Sequence, residues 1–177
     1  METEVMEKRS KKVDSSDFRE FFIDQLKDIY WAEKHLHQAL PKLRKASTSE
    51  ELAAAFEQHT KDTEWQIELV EKVFGLMGEK PQAKKCDAME GLLKEAQSVI
   101  DDTEKDSFTR DAGLILAAQK AEHYEIASYG TLRIFAGHMG EKEVRRHLEK
   151  ILENEKQTDV NLTKIAENHI NQLASEE

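Results

Sequence analysis

Cysteine is nearly absent from this chain, with Cys86 as its one representative, which excludes an intramolecular disulfide and any zinc cluster built from cysteines. In a connecting segment, that thiol reads as a surface or half-buried group. Proline and glycine are also scarce. Pro41, Pro81 and seven glycines are the punctuation of 177 residues, and alternating β-branched residues are missing, so sheet architectures are excluded and an all-helical domain follows. No run of eighteen apolar residues occurs, and no apolar stretch follows the first residues, so the reading is a cytoplasmic chain with no membrane partner. Positive charge is in deficit as well. Lys and Arg number 26 against 36 Asp and Glu, a formal net charge of −10, which speaks against nucleic acid as a partner because phosphate binding needs a basic surface. The basic run MEKRSKK near the start reads as part of a solvated tail over residues 1–16, ahead of one domain over 17–173 and a short C-terminal tail over 174–177.

What the chain does contain is helical periodicity. The first helix is expected from Asp17 to Lys45, opened by Asp17 with Glu20 three residues on. Its apolar line is Phe18, Phe22, Leu26, Ile29, Leu36, Leu40 and Leu43, and Pro41 is expected to kink or tighten the last turn. The second runs from Ser49 to Met77 and stops at Gly78, with Leu52, Phe56, Leu69, Val70, Val73 and Met77 inward. The third, Thr109 to His138, uses Leu114, Ala118, Ala121, Leu132 and Phe135. The fourth, Glu141 to Gln172, uses Val144, Leu148, Ile151, Leu162, Ile165 and Ile170. Helices one and two, and three and four, are joined by a few residues, so each pair is an antiparallel hairpin. About thirty residues separate the hairpins, and DAMEGLLKEAQSVIDD within them reads as a shorter helix. Two hairpins with one long crossover make a ferritin-like antiparallel four-helix bundle, with a short fifth helix in the crossover between helices two and three.

Each long helix breaks its apolar stripe with polar residues near its middle. Glu33 falls between Ile29 and Leu36. His59, Asp62 and Gln66 continue the line from Phe56 to Val70. Glu122 and Glu125 lie between Ala118 and Leu132, and Glu155 with Asp159 between Ile151 and Leu162. One such break is ordinary, since a residue at a stripe edge can reach water. Four breaks at one height aim acids at a single patch of core, and no Lys or Arg lies on the stripes to balance them. A bound cation would supply the missing charge. Carboxylates with an imidazole suit iron or manganese, with zinc able to occupy the same ligands. No Glu-x-x-His pair of the kind usual in dimetal bundles occurs. The second helix offers His59 and Asp62 in the reverse order, so the site is rich in carboxylate with one histidine at most.

The segments DIYWAEKHL (28–36), QHTKDTEWQIE (58–68), AQKAEHYEIASYGTL (118–132) and LENEKQTDVNLT (152–163) resemble the YciF-like bacterial stress proteins, a branch of the ferritin-like superfamily, over about residues 17 to 170. The resemblance implies a ferritin-like bundle, a homodimer, a dimetal site and a link to stress. It carries metal ligation onto Glu33, His59, Asp62, Glu122, Glu125 and Glu155. Asp62 stands where relatives more usually have Glu, and that shorter side chain points to action through water or beside the ligands. Gln66, Tyr129 and Asp159 are placed as supporting residues. The expected cofactor is a pair of iron ions, with manganese or zinc as alternatives, and O2 or peroxide as the small oxidant. Whether the protein is an enzyme of ferroxidase or peroxidase type is left open.

Other residues receive plainer readings. His123 and Tyr124 lie off the stripe, as packing or surface groups. His35, His37, His138, His147 and His169 are scattered and are not assigned as ligands. Trp31 and Trp65 read as interface or core filler whose exposure would mark a dimer face. A competing reading is a structural or interaction protein on a relict bundle with protonated acids. A third is an iron-storage shell of twelve or more chains or a DNA-protecting mini-ferritin, and overall acidity speaks against the DNA-coating form.

Overall fold

The computed structural model describes residues 16–177, so most of the expected N-terminal tail lies outside the described residues. Helix α1 (Asp17–Ala46) is capped by Ser16, whose side chain accepts the Arg19 N–H, so the cap lies one residue before Asp17. Asp17 and Glu20 sit instead in the first turn, where their charge meets the positive helix end. The helix runs through Pro41 to Ala46 without a break, because Pro41 is on the exposed side, where water can serve the carbonyl that the missing N–H leaves free. Helix α2 (Glu50–Leu76) is capped by Ser49.

Helix α3 (Asp87–Asp102) occupies the crossover, and α4 (Phe108–His138) is capped by Ser107. Helix α5 (Lys142–Ile165) passes through a π-helical turn at Ala166–Ile170 into α6 (Asn171–Glu176). Residues 174–176, read from sequence as tail, are thus helical. The Glu177 carboxylate accepts the free N–H groups of Phe108 and Thr109 at 2.7 and 2.9 Å, so the chain end caps α4.

Two helices end on a glycine in the left-handed region, α2 where the crossover begins and α4 at the turn of the second hairpin. Gly78 has φ +72 and Gly140 φ +79, and the Glu79 and Glu141 N–H groups each return to a carbonyl of the last turn, Phe74 and Ala136, at 2.9 Å. Around the bundle the order is α1, α2, α5, α4, with α3 laid over α1 and α4. The crossover makes α2 and α4 parallel, so every adjacent pair of long helices is antiparallel and α2 faces α4 across the axis.

The core is built from the expected stripes: Phe22, Leu26, Leu52, Phe56, Leu114 and Ile151 are all fully buried, and Phe74, not among the expected residues, joins them. Each such side chain contributes about 1.5–3 kcal/mol on leaving water. Phe18, expected inward, is 40% exposed. It lies at the mouth of the bundle, where α1 begins, and its ring rests on Phe135 at 4.8 Å between centroids.

Candidate metal centre

Hydrophobic layers above and below enclose a band of acid at mid-bundle. Glu33, Glu122, Glu125 and Glu155 are fully buried, and His59 is 3% exposed. Each is held inward by the stripe that carries it, since a helix whose buried neighbours on either side, such as Ile29 and Leu36 around Glu33, are packed in the core has no freedom to rotate an acid outward. One ligand atom from each of His59, Glu122, Glu125 and Glu155 lies within 4.8 Å of the others. His59 Nε2 is 3.3 Å from Glu122 Oε1, joining α2 to α4 across the axis.

Glu33 stands outside that four-residue group and approaches from α1, the helix opposite α5. One oxygen accepts the hydroxyl of the fully buried Tyr129; the other has no partner. Most buried side-chain polar atoms that lack a hydrogen bond among the described residues belong to this cluster: both oxygens of Glu122, Glu125 and Glu155, both ring nitrogens of His59, and Glu33 Oε2. Such atoms are rare in folded proteins, and each is costly unless something binds it.

The electrostatics follow from burial. Desolvation, then the Glu155 charge, pushes the Glu33 carboxyl well above its usual range, with the Tyr129 hydroxyl pulling the other way. Glu122 and Glu125 are raised well above theirs by the same two causes in the same order. Glu155 is raised to about 7, chiefly by burial, with the adjoining Glu122 carboxyl pulling the other way. Burial lowers His59 to about 4, which leaves a neutral imidazole, the form that ligates metal. Among the described residues no Lys or Arg is paired with any of these acids. The donor set, carboxylate oxygens with one neutral imidazole, fits iron or manganese.

The supporting residues divide. Gln66 is fully buried and donates to Asn154 Oδ1 at 2.7 Å, which fixes its amide beside the acids. Asp62 is half-buried and outside the four-residue group, with one oxygen held by Gln58 Nε2 at 2.9 Å. Asp159 is also half-buried. It turns toward α4, where it accepts from Gln119 Nε2 at 3.1 Å and lies 3.3 Å from His123 Nε2.

Sequence reasoning missed a second polar chain next to the cluster. Cys86 is 1% exposed, not the half-buried or surface thiol expected, and caps α3 by accepting the Met89 N–H. Its sulfur is 3.1 Å from the Tyr124 hydroxyl, which donates to Asp28 Oδ2 at 2.8 Å. The signal was present in Cys86 standing one residue before a helix start, where a small polar side chain caps the free N–H groups.

A family model described as a domain of unknown function, DUF892, matches residues 17–175. The Escherichia coli protein YciF is 48% identical over 154 residues, covering 86% of this chain and 92% of that protein. The crystal structure of the E. coli stress protein YciF superposes with a TM-score of 0.84 at 46% identity, over 89% of this chain and 99% of that one. YcfI of Rhodopseudomonas palustris follows at 34% identity and TM-score 0.81, over 84% of this chain and 94% of that one. No helix among the described residues is long and apolar enough to cross a membrane.

Proposed function

We propose, from the premise that the chain belongs to the DUF892 family and is a homologue of the stress protein YciF, that its bundle holds a dimetal carboxylate centre serving iron or peroxide handling under stress. One observation carries this reading. Four buried glutamates and a neutral histidine converge with no Lys or Arg paired to them among the described residues, and apart from the Glu33 oxygen that takes the Tyr129 hydroxyl, their side-chain oxygens and ring nitrogens have no hydrogen-bond partner. Two divalent ions carry the charge that balances four carboxylates, whereas one would leave two carboxylates uncompensated in a low dielectric.

In this reading Glu122, Glu125, Glu155 and His59 bind the ions, and Glu33, oriented by the Tyr129 hydroxyl, completes the set from α1. The hydrogen bond from the buried Gln66 to the half-buried Asn154 fixes the α2–α5 side of the site. The leucine and isoleucine layers keep bulk water out. Bound iron or manganese would supply one-electron redox chemistry toward O2 or peroxide. As metal binds, the carboxyls release the protons that burial makes them hold. The protein acts in the cytoplasm as a homodimer, for which sizing should return about twice the 20.4 kDa chain mass.

The test is metal per chain. Protein expressed in iron-rich medium and purified without a metal-binding tag should carry close to two iron or manganese ions. A Glu122→Ala, Glu125→Ala double variant should lose them. Wild-type protein that remains metal-free when both metals are plentiful would sink the proposal. It would favour a structural role for the bundle, which the raised carboxyl pKa values also support, since neutral acids can stay buried without an ion.

A further inference from the structure

The buried cluster meets a surface cleft at His59. Between α2 and α5 lies a cavity of about 70 Å3 lined in part by Gln58, His59, Asp62, Thr158, Asn161 and Leu162. Its rim is polar. Gln58 and Asn161 are exposed, Asp62 and Thr158 half-buried, and the floor is made by the buried His59 and Leu162. His59 therefore has two faces, one on this cavity and one on Glu122 at 3.3 Å. Its Nδ1 has no hydrogen-bond partner although the residue is 3% exposed. Three larger surface cavities, of about 340, 430 and 830 Å3, touch none of Glu33, His59, Glu122, Glu125 or Glu155.

We infer that this cleft is the mouth by which a divalent cation reaches the centre, with Asp62 as the capturing carboxylate and His59 as the group that hands the ion inward. The inference rests on the dimetal reading above. Asp62 is suited to capture because it is near enough to water to meet a hydrated ion. Gln58 holds one of its oxygens in place at 2.9 Å. It is poorly suited to permanent ligation, because it lies outside the four-residue group. An aspartate here, one methylene shorter than a glutamate, stops at the rim. A single fixed charge at the lip of a narrow cleft raises the local cation concentration and the rate of binding, without adding to the affinity of the buried site.

The experiment is stopped-flow uptake of Co(II), followed by its visible absorption, into the metal-free full-length protein. Two variants are compared with the wild type, Asp62→Asn, which is isosteric and removes the charge, and Asn161→Phe, which fills the opening. Circular dichroism confirms that each retains its helices. Both should load about tenfold more slowly yet reach the wild-type number of ions per chain, and Asp62→Glu should restore the rate. Wild-type rates in both variants would place the mouth elsewhere. Loss of an ion at equilibrium in Asp62→Asn would make Asp62 a ligand and overturn its role as a capture group. A wild-type protein that takes up no Co(II) at all would instead refute the dimetal reading, and the mouth with it.

Discussion

Glu125 has two carboxylate oxygens, no hydrogen-bond partner for either and no exposure to water. In metal-free protein its carboxyl stays protonated well above the usual range, chiefly because of burial. Folding must then take up a proton that the unfolded chain, with an ordinary value near 4.5, has already released. The penalty grows roughly tenfold in the folding equilibrium for each pH unit above that value, for as long as the buried group stays protonated. Glutamine has nearly the same shape and no proton to collect. Glu125→Gln should therefore raise the melting temperature of metal-free protein, more at pH 8 than at pH 5. With iron or manganese bound the sign should reverse, because a lost ligand removes the stabilisation that comes from binding the native state. Thermal unfolding with and without metal reads both signs. A destabilised metal-free variant would mean that the carboxyl has an unrecognised partner.

Among the elements, α3 packs on α4 through one close approach. A Cβ added at Gly113 of α4 would lie 2.7 Å from Val99 Cγ1 of α3. Valine is stiff about χ1, so the clash cannot be relieved by rotating a long side chain away. Gly113→Ala should cost about 1–3 kcal/mol as overpacking, and Val99→Ala in the same chain should recover most of it. Denaturant unfolding of the double-mutant cycle measures the coupling. Additive effects would show that α3 shifts freely on α4. The same interface is fastened by Arg110, whose guanidinium donates to the Ile100 and Thr103 carbonyls at 2.9 and 2.6 Å and so caps the end of α3. The crossover helix is thus held at both ends, by Cys86 at its start and Arg110 at its finish.

At the scale of the whole molecule, the buried acids and the buried histidine oppose one another with pH. The neutral His59, lowered to about 4, contributes stability that is present above 6.5 and is lost as pH falls from 6.5 toward 4. The four carboxyls, raised from 4.5, contribute stability that is fully present below 4.5 and is lost as pH rises toward their folded values, about 7 for Glu155. Above pH 6.5 the histidine no longer contributes a slope, and the acids act alone. Metal-free protein should therefore lose stability between pH 6.5 and 8, and saturating Mn(II) should remove that loss by balancing the carboxylates. Melting temperatures across this range, with and without Mn(II), test the pair of outcomes. A flat metal-free profile would mean that the acids are compensated by groups within the fold.

Much of this was written in the chain. Scarce proline and glycine, the stripes, Gly78 as a stop and the short links within each pair specify four long helices and their hairpins, because helix periodicity and chain length between helices are local properties of the sequence. The acids on those stripes were legible for the same reason, since spacing fixes which side of a helix a residue shares with its leucines. The length of the crossover implied the direction of α4. Local pattern could not say how far a side chain reaches, or how each helix is rotated against its neighbours. Those were decided by packing. It brought Glu122 to His59 across the axis, gave Glu33 the Tyr129 hydroxyl, left Asp62 at a cleft and turned Asp159 toward Gln119 and His123. It also buried Cys86 and left Phe18 at the open end, because burial depends on what another element covers and not on the spacing within one helix.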